Sequence, residues 1–234
     1  MSSSSTILES AFLDSNARPA AIGGIVLCGG QSTRMGRPKA WLPFGSEVML
    51  QRVVRILSEV VAPIVVVAAV GQAVPELHAS VKIVRDEHEA LGPLAGLAAG
   101  LKALEGRAIA AYASSCDVPL LTAAFVSQIV ARLGDCDLAI PRDGKFHHPL
   151  AAVYSVRLAA TARRLIEANR LRPVFLLEHS RAREIDVTEL RRVDPELRSL
   201  RNVNTPSEYA AALYDAGLGD ARPGDAGLAP ASAP

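Results

Sequence analysis

The stretch 28–39 combines glycines with cations in a pattern that could hold a polyphosphate. It follows the apolar run 25–27, which predicts a buried strand, and it contains the adjacent glycines 29–30. Glycines let a backbone approach phosphate oxygens closely, and Arg34 and Lys39 could neutralise the charge of those oxygens. The alternative is an ordinary surface turn with solvated charges. The stretch therefore indicates either a nucleotide site or a plain loop.

Two standard phosphate motifs do not fit this loop. Lys39 is not adjacent to a glycine, and no serine or threonine follows it, so the spacing excludes a Walker A loop. The dinucleotide pattern G-x-G-x-x-G does not fit either. A strand, a glycine pair, a polar loop and two cations remain, and this combination favours a phosphate site of another kind.

A second candidate lies where Asp86 is followed by a predicted helix that begins at Pro93. Proline suits the first helical position, and the free amides of that turn could bind an anion or a base edge. Gly92, Gly96 and Gly100 recur every four residues. A glycine inside a helix costs about 0.5 to 1 kcal/mol relative to alanine. Either close packing on the sheet or close approach of a ligand must therefore explain the spacing.

A third candidate is Asp117, which follows the predicted strand Ile109 to Ala113 and the serine pair 114–115. A carboxylate at the end of a buried strand, in a chain with a candidate polyphosphate loop, is well placed to hold Mg²⁺. The alternative is that Asp117 caps the turn before the next helix. Together with the glycine loop, metal binding is the favoured interpretation.

The composition excludes several classes of function. Against 24 aspartates and glutamates stand 25 lysines and arginines, a net charge of +1, so no global field would attract nucleic acid or an acidic membrane surface. The longest apolar window, 63–70, is far shorter than the roughly 20 residues of a membrane span. The three cysteines have no CxxC spacing, which argues against a disulfide framework or a zinc site and fits a reducing, cytoplasmic location.

The length predicts one domain with two disordered tails. Residues 1–22 contain a serine run and no signal-peptide pattern, and residues 215–234 are too rich in glycine, alanine and proline to form a core. We therefore expect a single domain over 23–214.

Within that domain, apolar runs with strand and helix periodicity alternate. The predicted strands and helices are, in order, Gly24 to Leu27, Leu50 to Val61 (helix), Ile64 to Ala69, Val81 to Val84, Pro93 to Leu104 (helix), Ile109 to Ala113 and Ala123 to Leu133 (helix). This order predicts an α/β protein whose mostly parallel sheet lies between helices and binds ligands beyond the carboxyl ends of its strands. Strands flanking the polar turn 142–145 predict a hairpin that makes the sheet mixed.

Taken together, four stretches resemble the molybdenum cofactor guanylyltransferase family. They are Leu27-Cys28-Gly29-Gly30 with Arg34-Met35-Gly36 and Lys39, then Gly92-Pro93-Leu94-Ala95-Gly96, Cys116-Asp117-Val118-Pro119 and Asn202-Val203-Asn204-Thr205-Pro206. The resemblance implies a three-layer αβα Rossmann-like nucleotidyltransferase fold with a mostly parallel mixed sheet. It also implies an enzyme that binds GTP and Mg²⁺ and transfers GMP to the terminal phosphate of molybdopterin carrying molybdenum, with pyrophosphate as the leaving group.

The resemblance also implies roles for individual residues. The nucleotide-binding set is Leu27, Cys28, Gly29, Gly30, Lys39, Asp86, Gly92, Gly96 and Asp117. The catalytic set is Arg34, Lys39 and Asp117, with Asp117 as the metal ligand. The substrate-binding set, on the molybdopterin side, is Arg172, Asn202 and Asn204. Transient contact with molybdopterin-handling proteins is a further implication, and contact with nucleic acid or membrane is not expected.

The chain departs from the family pattern at three positions. The family usually has alanine at Cys28, aspartate at Pro38 and asparagine at Ala68. The last two changes remove polar groups near the nucleotide. A cytidylyltransferase or another small-molecule nucleotidyltransferase of the same fold therefore stays open as an alternative. So does a catalytically weak protein that binds molybdopterin as a partner.

Overall fold

The computed structural model describes residues 21–29, 37–86 and 91–219. Gly30 and Arg34, two of the predicted site residues, lie outside the described residues. The strands are β1 (Ile22–Leu27), β2 (Pro43–Phe44), β3 (Glu47–Val48), β4 (Ile64–Ala69), β5 (Lys82–Asp86), β6 (Ala110–Ser115), β7 (Leu138–Asp143), β8 (Phe146–His147), β9 (Ala151–Ser155) and β10 (Ala182–Asp186). The α-helices are α1 (Met49–Ser58), α2 (Pro93–Leu104), α3 (Ala123–Ala131), α4 (Leu158–Glu167) and α5 (Pro206–Asp215).

Eight of these strands form one mixed sheet. Its order is β10-β7-β9-β6-β1-β4-β5, with β8 attached to β7. β9 is antiparallel to both of its neighbours, whereas β1 runs parallel to β4 and to β6. The predicted fold class, α/β with a mostly parallel mixed sheet, is confirmed.

The central parallel strands bring their carboxyl ends to one edge of the sheet. Leu27 at the end of β1 is in register with Val67 on one side and with Ser115 on the other. The residues that follow these strands therefore emerge side by side. Gly29 and Asp117, which are 88 residues apart in the sequence, leave the same edge.

Helices cover both faces of the sheet because its strands are apolar on both faces. Helices α1 and α3 pack on one face, through side chains such as Leu57 and Phe125. Helices α2 and α4 pack on the other, through Leu101 and Leu165. Each Å² of apolar surface removed from water contributes roughly 25 cal/mol. The apolar contacts between the sheet and these two helical layers are therefore the main source of stability.

Glycine spacing in α2 reflects contact with β1. A Cβ atom at Gly100 would lie 2.7 Å from Cγ2 of Ile25, and one at Gly96 would lie 3.2 Å from Cδ2 of Leu27. Packing on the sheet therefore accounts for Gly100. Gly92 has another reason, because its φ of +77° is a conformation that L side chains rarely adopt.

A small apolar cluster joins α5 to the body of the protein. It contains Leu42, Phe44, Met49, Leu120, Val203 and Ala212. Phe44 lies in the two-stranded hairpin β2–β3, and Ala212 lies in α5. This cluster anchors the segment 202–204 beside the 3-10 helix Lys39–Trp41.

The predicted hairpin is confirmed, with a shorter turn than expected. Arg142 and Asp143 belong to β7 and pair with His147 and Phe146, so the turn itself is Gly144-Lys145. At the two ends of the domain, Ile22 belongs to β1 and Asp215 to α5. No helix in the described residues is long and apolar enough to span a membrane.

Candidate active site

Lys39 lies at the centre of a hydrogen-bonded group beyond the carboxyl edge of the sheet. It begins the 3-10 helix Lys39–Trp41, and its side chain is 18% exposed. Its Nζ donates to Oδ2 of Asp117 at 2.8 Å and to Oδ1 of Asn204 at 2.7 Å. The ammonium group is thus held by one carboxylate and one amide oxygen.

Asp117 is fixed by several donors around its carboxylate. Its Oδ1 accepts hydrogen bonds from Oγ of Ser115 at 2.5 Å and from Nδ2 of Asn202 at 2.8 Å. The backbone N–H of Val203 donates to the Asp117 carbonyl at 2.8 Å. Thr122, and not Asp117, caps α3 by accepting from the backbone N–H of Phe125. The Asp117 carboxylate is therefore bound to Lys39 and Asn202. The alternative that Asp117 caps the turn before α3 is not supported.

Glu208 orients Asn204 from the first turn of α5. Its Oε2 accepts from the backbone N–H of Asn204 at 2.7 Å and from that of Thr205 at 2.9 Å. The Thr205 hydroxyl accepts in return from the backbone N–H of Glu208, which completes a capping box. The backbone hydrogen bond from Asn204 is the main cause that holds the pKa of Glu208 below its ordinary value.

The carboxylate oxygens of Asp117 are suitable ligands for a hard divalent cation. Mg²⁺ prefers oxygen ligands and is commonly held by one or two carboxylates together with substrate phosphates. The carboxylate of Asp117 already carries one cation, the Lys39 ammonium, at 2.8 Å. Within the described residues there is no group of three or more His, Cys, Asp or Glu side chains that could hold a metal by themselves. Asp117 could therefore hold Mg²⁺ only with oxygen ligands from a substrate or from water.

The start of the glycine loop is fixed by a glutamine from the end of β4. Nε2 of Gln72 donates to the Cys28 carbonyl at 2.7 Å, and Oε1 of Gln72 accepts from the Ala69 backbone N–H at 3.0 Å. Cys28 is buried, whereas Gly29 is exposed. Leu27 is half-buried. The backbone thus leaves the core between Cys28 and Gly29, with its direction set by Gln72.

Two cysteines lie side by side beneath this edge. Cys28 and Cys116 are both buried, and their thiols are hydrogen-bonded to each other. That contact lowers the pKa of Cys28, helped by hydrogen bonding from Gln72 and the charge of Arg85. The same contact, together with burial, raises the pKa of Cys116.

Asp86 and the first turn of α2 form another part of the same edge. Asp86 ends β5 and is buried, and its Oδ2 lies 3.6 Å from the position of a Cβ on Gly96. Gly92 precedes α2 as its N-cap residue, with no side chain to fill the space beyond it. The geometry therefore brings Asp86, Gly92 and Gly96 to the start of α2.

Arg172 lies at the same start of α2 but outside the hydrogen bonds around Asp117. It is exposed and immediately precedes the 3-10 helix Pro173–His179. The neighbouring carbonyl of Leu171 is 3.9 Å from the position of a Cβ on Gly92. The structure therefore groups Lys39, Asp117, Asn202 and Asn204 directly, and places Arg172 near Gly92.

A cavity of about 330 Å³ adjoins the asparagine segment. Its lining residues are Leu120, Arg201, Asn202, Val203, Asn204, Glu208 and Ala212. Arg201 is fixed there by Asp215, whose Oδ2 accepts from Nη1 of Arg201 at 2.7 Å. The cavity offers one cation and two amides on the side of Asn202 and Asn204 that faces α5.

Ser115, Gln72 and Glu208 were not among the residues predicted from the sequence. Glu208 had a signal, because Thr205 and Glu208 have the spacing of a capping box. Ser115 had a weaker one, as a polar residue at the end of a buried strand. Gln72 had none, since its role depends on where β1 lies beside β4.

Comparison with known proteins identifies the family. Residues 24–183 match the family model described as the MobA-like NTP transferase domain. A probable molybdenum cofactor guanylyltransferase from Mycobacterium avium is 38% identical over 195 residues, which cover 81% of this chain and 94% of that protein.

Solved structures show the same fold. The crystal structure of molybdopterin-guanine dinucleotide biosynthesis protein A from Archaeoglobus fulgidus has a TM-score of 0.68 at 23% identity, covering 84% of this chain and 99% of that one. The 2-C-methyl-D-erythritol 4-phosphate cytidylyltransferase from Thermus thermophilus has a TM-score of 0.60 at 13% identity, covering 83% and 98%. The family model spans more than half of this chain and the M. avium relative exceeds 30% identity, so the chain is a nucleotidyltransferase that belongs to the MobA-like NTP transferase family.

Proposed function

We propose that this protein transfers GMP from GTP to the terminal phosphate of molybdopterin carrying molybdenum, forming the guanine dinucleotide cofactor and releasing pyrophosphate. The observation that supports this most strongly is the contact of Lys39 with both Asp117 and Asn204 beside the glycine loop. A cation, a carboxylate and exposed amides at one point suit the joining of two phosphates. The 38% identical relative is named for this activity.

The reaction needs little from the protein beyond position and charge. An oxygen of the acceptor phosphate attacks the α-phosphorus of GTP, and the bond from that phosphorus to the bridging oxygen breaks. No general base is required, because the attacking oxygen is already anionic. The protein must bring two anions together and stabilise the charge on the departing pyrophosphate.

Lys39 supplies that charge. Without nucleotide its ammonium is bound to Asp117 and Asn204. Phosphate oxygens carry more charge than the amide of Asn204, so they compete for the same ammonium when GTP enters. We assign Arg34 to the same task, although it lies outside the described residues.

Asp117 is the residue that would hold Mg²⁺. Its carboxylate is directed by Ser115 and Asn202, so its orientation does not depend on the bound cation. When bound, Mg²⁺ supplies a charge that neutralises phosphate oxygens. If Asp117 held the metal, the Lys39 ammonium would be available to bind phosphate oxygens.

The nucleotide enters from the side of β1 and α2. We assign the backbone of Leu27, Cys28, Gly29 and Gly30 to the phosphates and ribose. Asp86, Gly92 and Gly96 form the wall at the start of α2. Because Gly92 carries no side chain, a planar base can approach the backbone there, whereas Gly96 packs on Leu27.

The molybdopterin acceptor enters from the opposite side. We assign Asn202 and Asn204 to it; Arg172, the third predicted substrate-binding residue, lies near Gly92, on the side assigned to the nucleotide. The cavity beside the asparagines, about 330 Å³, adjoins this side. Because the cysteine pattern fits a reducing compartment, we assign the protein to the cytoplasm, with transient contacts to proteins that handle molybdopterin.

The test is incubation of the full chain with Mg²⁺, molybdopterin carrying molybdenum and each of the four nucleoside triphosphates. GTP should give the dinucleotide and an equal amount of pyrophosphate, whereas ATP, CTP and UTP should give little. Product with CTP alone would overturn the guanylyl assignment in favour of cytidylyl transfer, an activity that the same fold supports in the Thermus structure. No product with any nucleotide would favour a molybdopterin-binding partner protein.

A further inference from the structure

Cys28 and Cys116 occupy matching positions on neighbouring parallel strands. Cys28 follows β1, and Cys116 follows β6. Leu27 and Ser115 are the last registered pair of these strands, so the two cysteines form the next pair. Both side chains belong to the apolar cluster on the face covered by α1 and α3.

The backbone around the two cysteines continues the hydrogen bonding of the sheet. The N–H of Cys116 donates to the Leu27 carbonyl at 3.0 Å, and the N–H of Cys28 donates to the Val67 carbonyl at 2.8 Å. Neighbouring strands lie about 4.8 Å apart, inside the Cα separation of about 4.4 to 6.8 Å that a disulfide requires. A disulfide at this spacing would form by rotation of the two side chains.

We propose that Cys28 and Cys116 are a reversible modification site, a dithiol that peroxide converts to a disulfide, and that the disulfide weakens nucleotide binding. The first part is independent of the proposed function. The second rests on it, because it concerns the nucleotide loop. Cys136 lies elsewhere in the fold, before β7, and takes no part.

The chemistry balances with one peroxide per pair. One thiolate sulfur attacks a peroxide oxygen, the O–O bond breaks, and the departing hydroxide becomes water, leaving a sulfenic acid. The second thiol then attacks that sulfur, the S–O bond breaks, and a second water leaves. Two thiols are oxidised, one peroxide is reduced, and the reverse reaction needs a thiol reductant. Gln72, whose Nε2 is 3.5 Å from Sγ of Cys28, favours Cys28 as the first to react.

The crosslink would act on both halves of the active site at once. Cys28 immediately precedes Gly29 of the glycine loop, and Cys116 immediately precedes Asp117. A disulfide draws the two sulfurs to about 2.05 Å and fixes both side chains. GTP binding requires Lys39 to exchange Asp117 for phosphate oxygens, and a crosslink beside Gly29 and Asp117 would restrict the backbone that supports both.

The masses of the tryptic peptides show which cysteines are joined by a disulfide. Trypsin separates the three cysteines, on peptides that end at Arg34, Arg132 and Arg142. After treatment of the folded full chain with hydrogen peroxide and alkylation of free thiols, we expect one crosslink, between the Arg34 and Arg132 peptides, that a thiol reductant removes. The Cys136→Ala variant should form the same crosslink, and Cys116→Ala should form none.

No crosslink, or a crosslink through Cys136, would overturn the modification site. The wild-type peptide map decides this even if Cys116→Ala fails to fold. Titration of GTP then tests the consequence: the oxidised wild type should bind about tenfold more weakly than the reduced form, and reductant should restore binding. Equal affinity of both forms would overturn that consequence. If neither form binds GTP, the proposed function is wrong. The mass measurement alone then still decides whether the crosslink forms.

Discussion

Nζ of Lys39 lies 2.8 Å from Oδ2 of Asp117, although 78 residues separate them in the sequence. The same ammonium donates to Asn204, 165 residues from Lys39. One cation therefore joins the segment after the glycine loop, the end of β6 and the segment before α5. In such a site the Lys39 ammonium can exchange Asp117 and Asn204 for phosphate oxygens without any movement of the sheet.

Loss of the Lys39 ammonium should reduce turnover strongly while the domain remains folded. We expect Lys39→Ala to lower GMP transfer at least about a hundredfold, since it removes charge from the developing pyrophosphate. The free energy of unfolding should fall by about 1.5 to 3 kcal/mol, because Lys39 and Asp117 are only 18% and 12% exposed, and the domain should remain folded. Lys102→Ala, an exposed lysine on α2, is the matched control and should retain activity. Unchanged transfer by Lys39→Ala would remove Lys39 from the mechanism.

Asp117→Asn keeps the shape of the side chain and removes its charge. We expect transfer to fall at least about a hundredfold, with a parallel loss of Mg²⁺-dependent GTP binding measured by calorimetry. Asp135→Asn is the control, because Asp135 is exposed and forms a surface ion pair with Arg181. Chelation of divalent ions should reduce GTP binding by the wild type and leave the residual binding of Asp117→Asn unchanged. A variant that still responds fully to Mg²⁺ would show that the metal is held elsewhere.

The stability of the Asn204 segment should depend on acid pH through Glu208. Because hydrogen bonds lower the pKa of Glu208 in the folded protein, its contribution is present above the ordinary glutamate value and is lost as pH falls through the lowered one. The wild type should therefore be more stable than Glu208→Gln at neutral pH, and the difference should shrink below about pH 4.3. Urea unfolding of both proteins at several pH values measures this. A difference that is constant from neutral to acid pH would contradict it.

Gly100→Ala tests the packing of α2 on β1. The added Cβ would lie 2.7 Å from Cγ2 of Ile25, so we expect destabilisation of about 1 to 3 kcal/mol. In an Ile25→Ala background the obstructing atom is gone, and the same change should cost less. A double-mutant cycle in urea measures the coupling. Equal costs in both backgrounds would mean that the contact with Ile25 does not explain this glycine.

Local sequence patterns predicted the framework of the fold well. Strand β4 and helix α2 have the predicted bounds, because an unbroken apolar run and a helix begun by Pro93 are strong local signals. Helix α1 ends at Ser58, three residues before the predicted Val61. Val61 is in the core without being helical, so apolar spacing alone could not mark the end of the helix.

The site was predicted as a set of residues and not as a set of contacts. Lys39, Asp117, Asn202 and Asn204 each belong to a recognisable motif, yet no spacing in the sequence says that one ammonium joins them. The cysteines are a similar case. Cys28 and Cys116 become neighbours only through the register of β1 with β6, which depends on the assembled sheet.

The fate of labelled phosphate in GTP tests the central claim most directly. With molybdopterin carrying molybdenum and Mg²⁺, label at the α-phosphorus should enter the dinucleotide, and label at the γ-phosphorus should appear only in pyrophosphate. Lys102→Ala should give the same distribution, and Lys39→Ala should give almost none of either product. Label from the γ-phosphorus in the acceptor, or release of labelled orthophosphate from GTP, would contradict transfer of GMP by the site around Lys39 and Asp117.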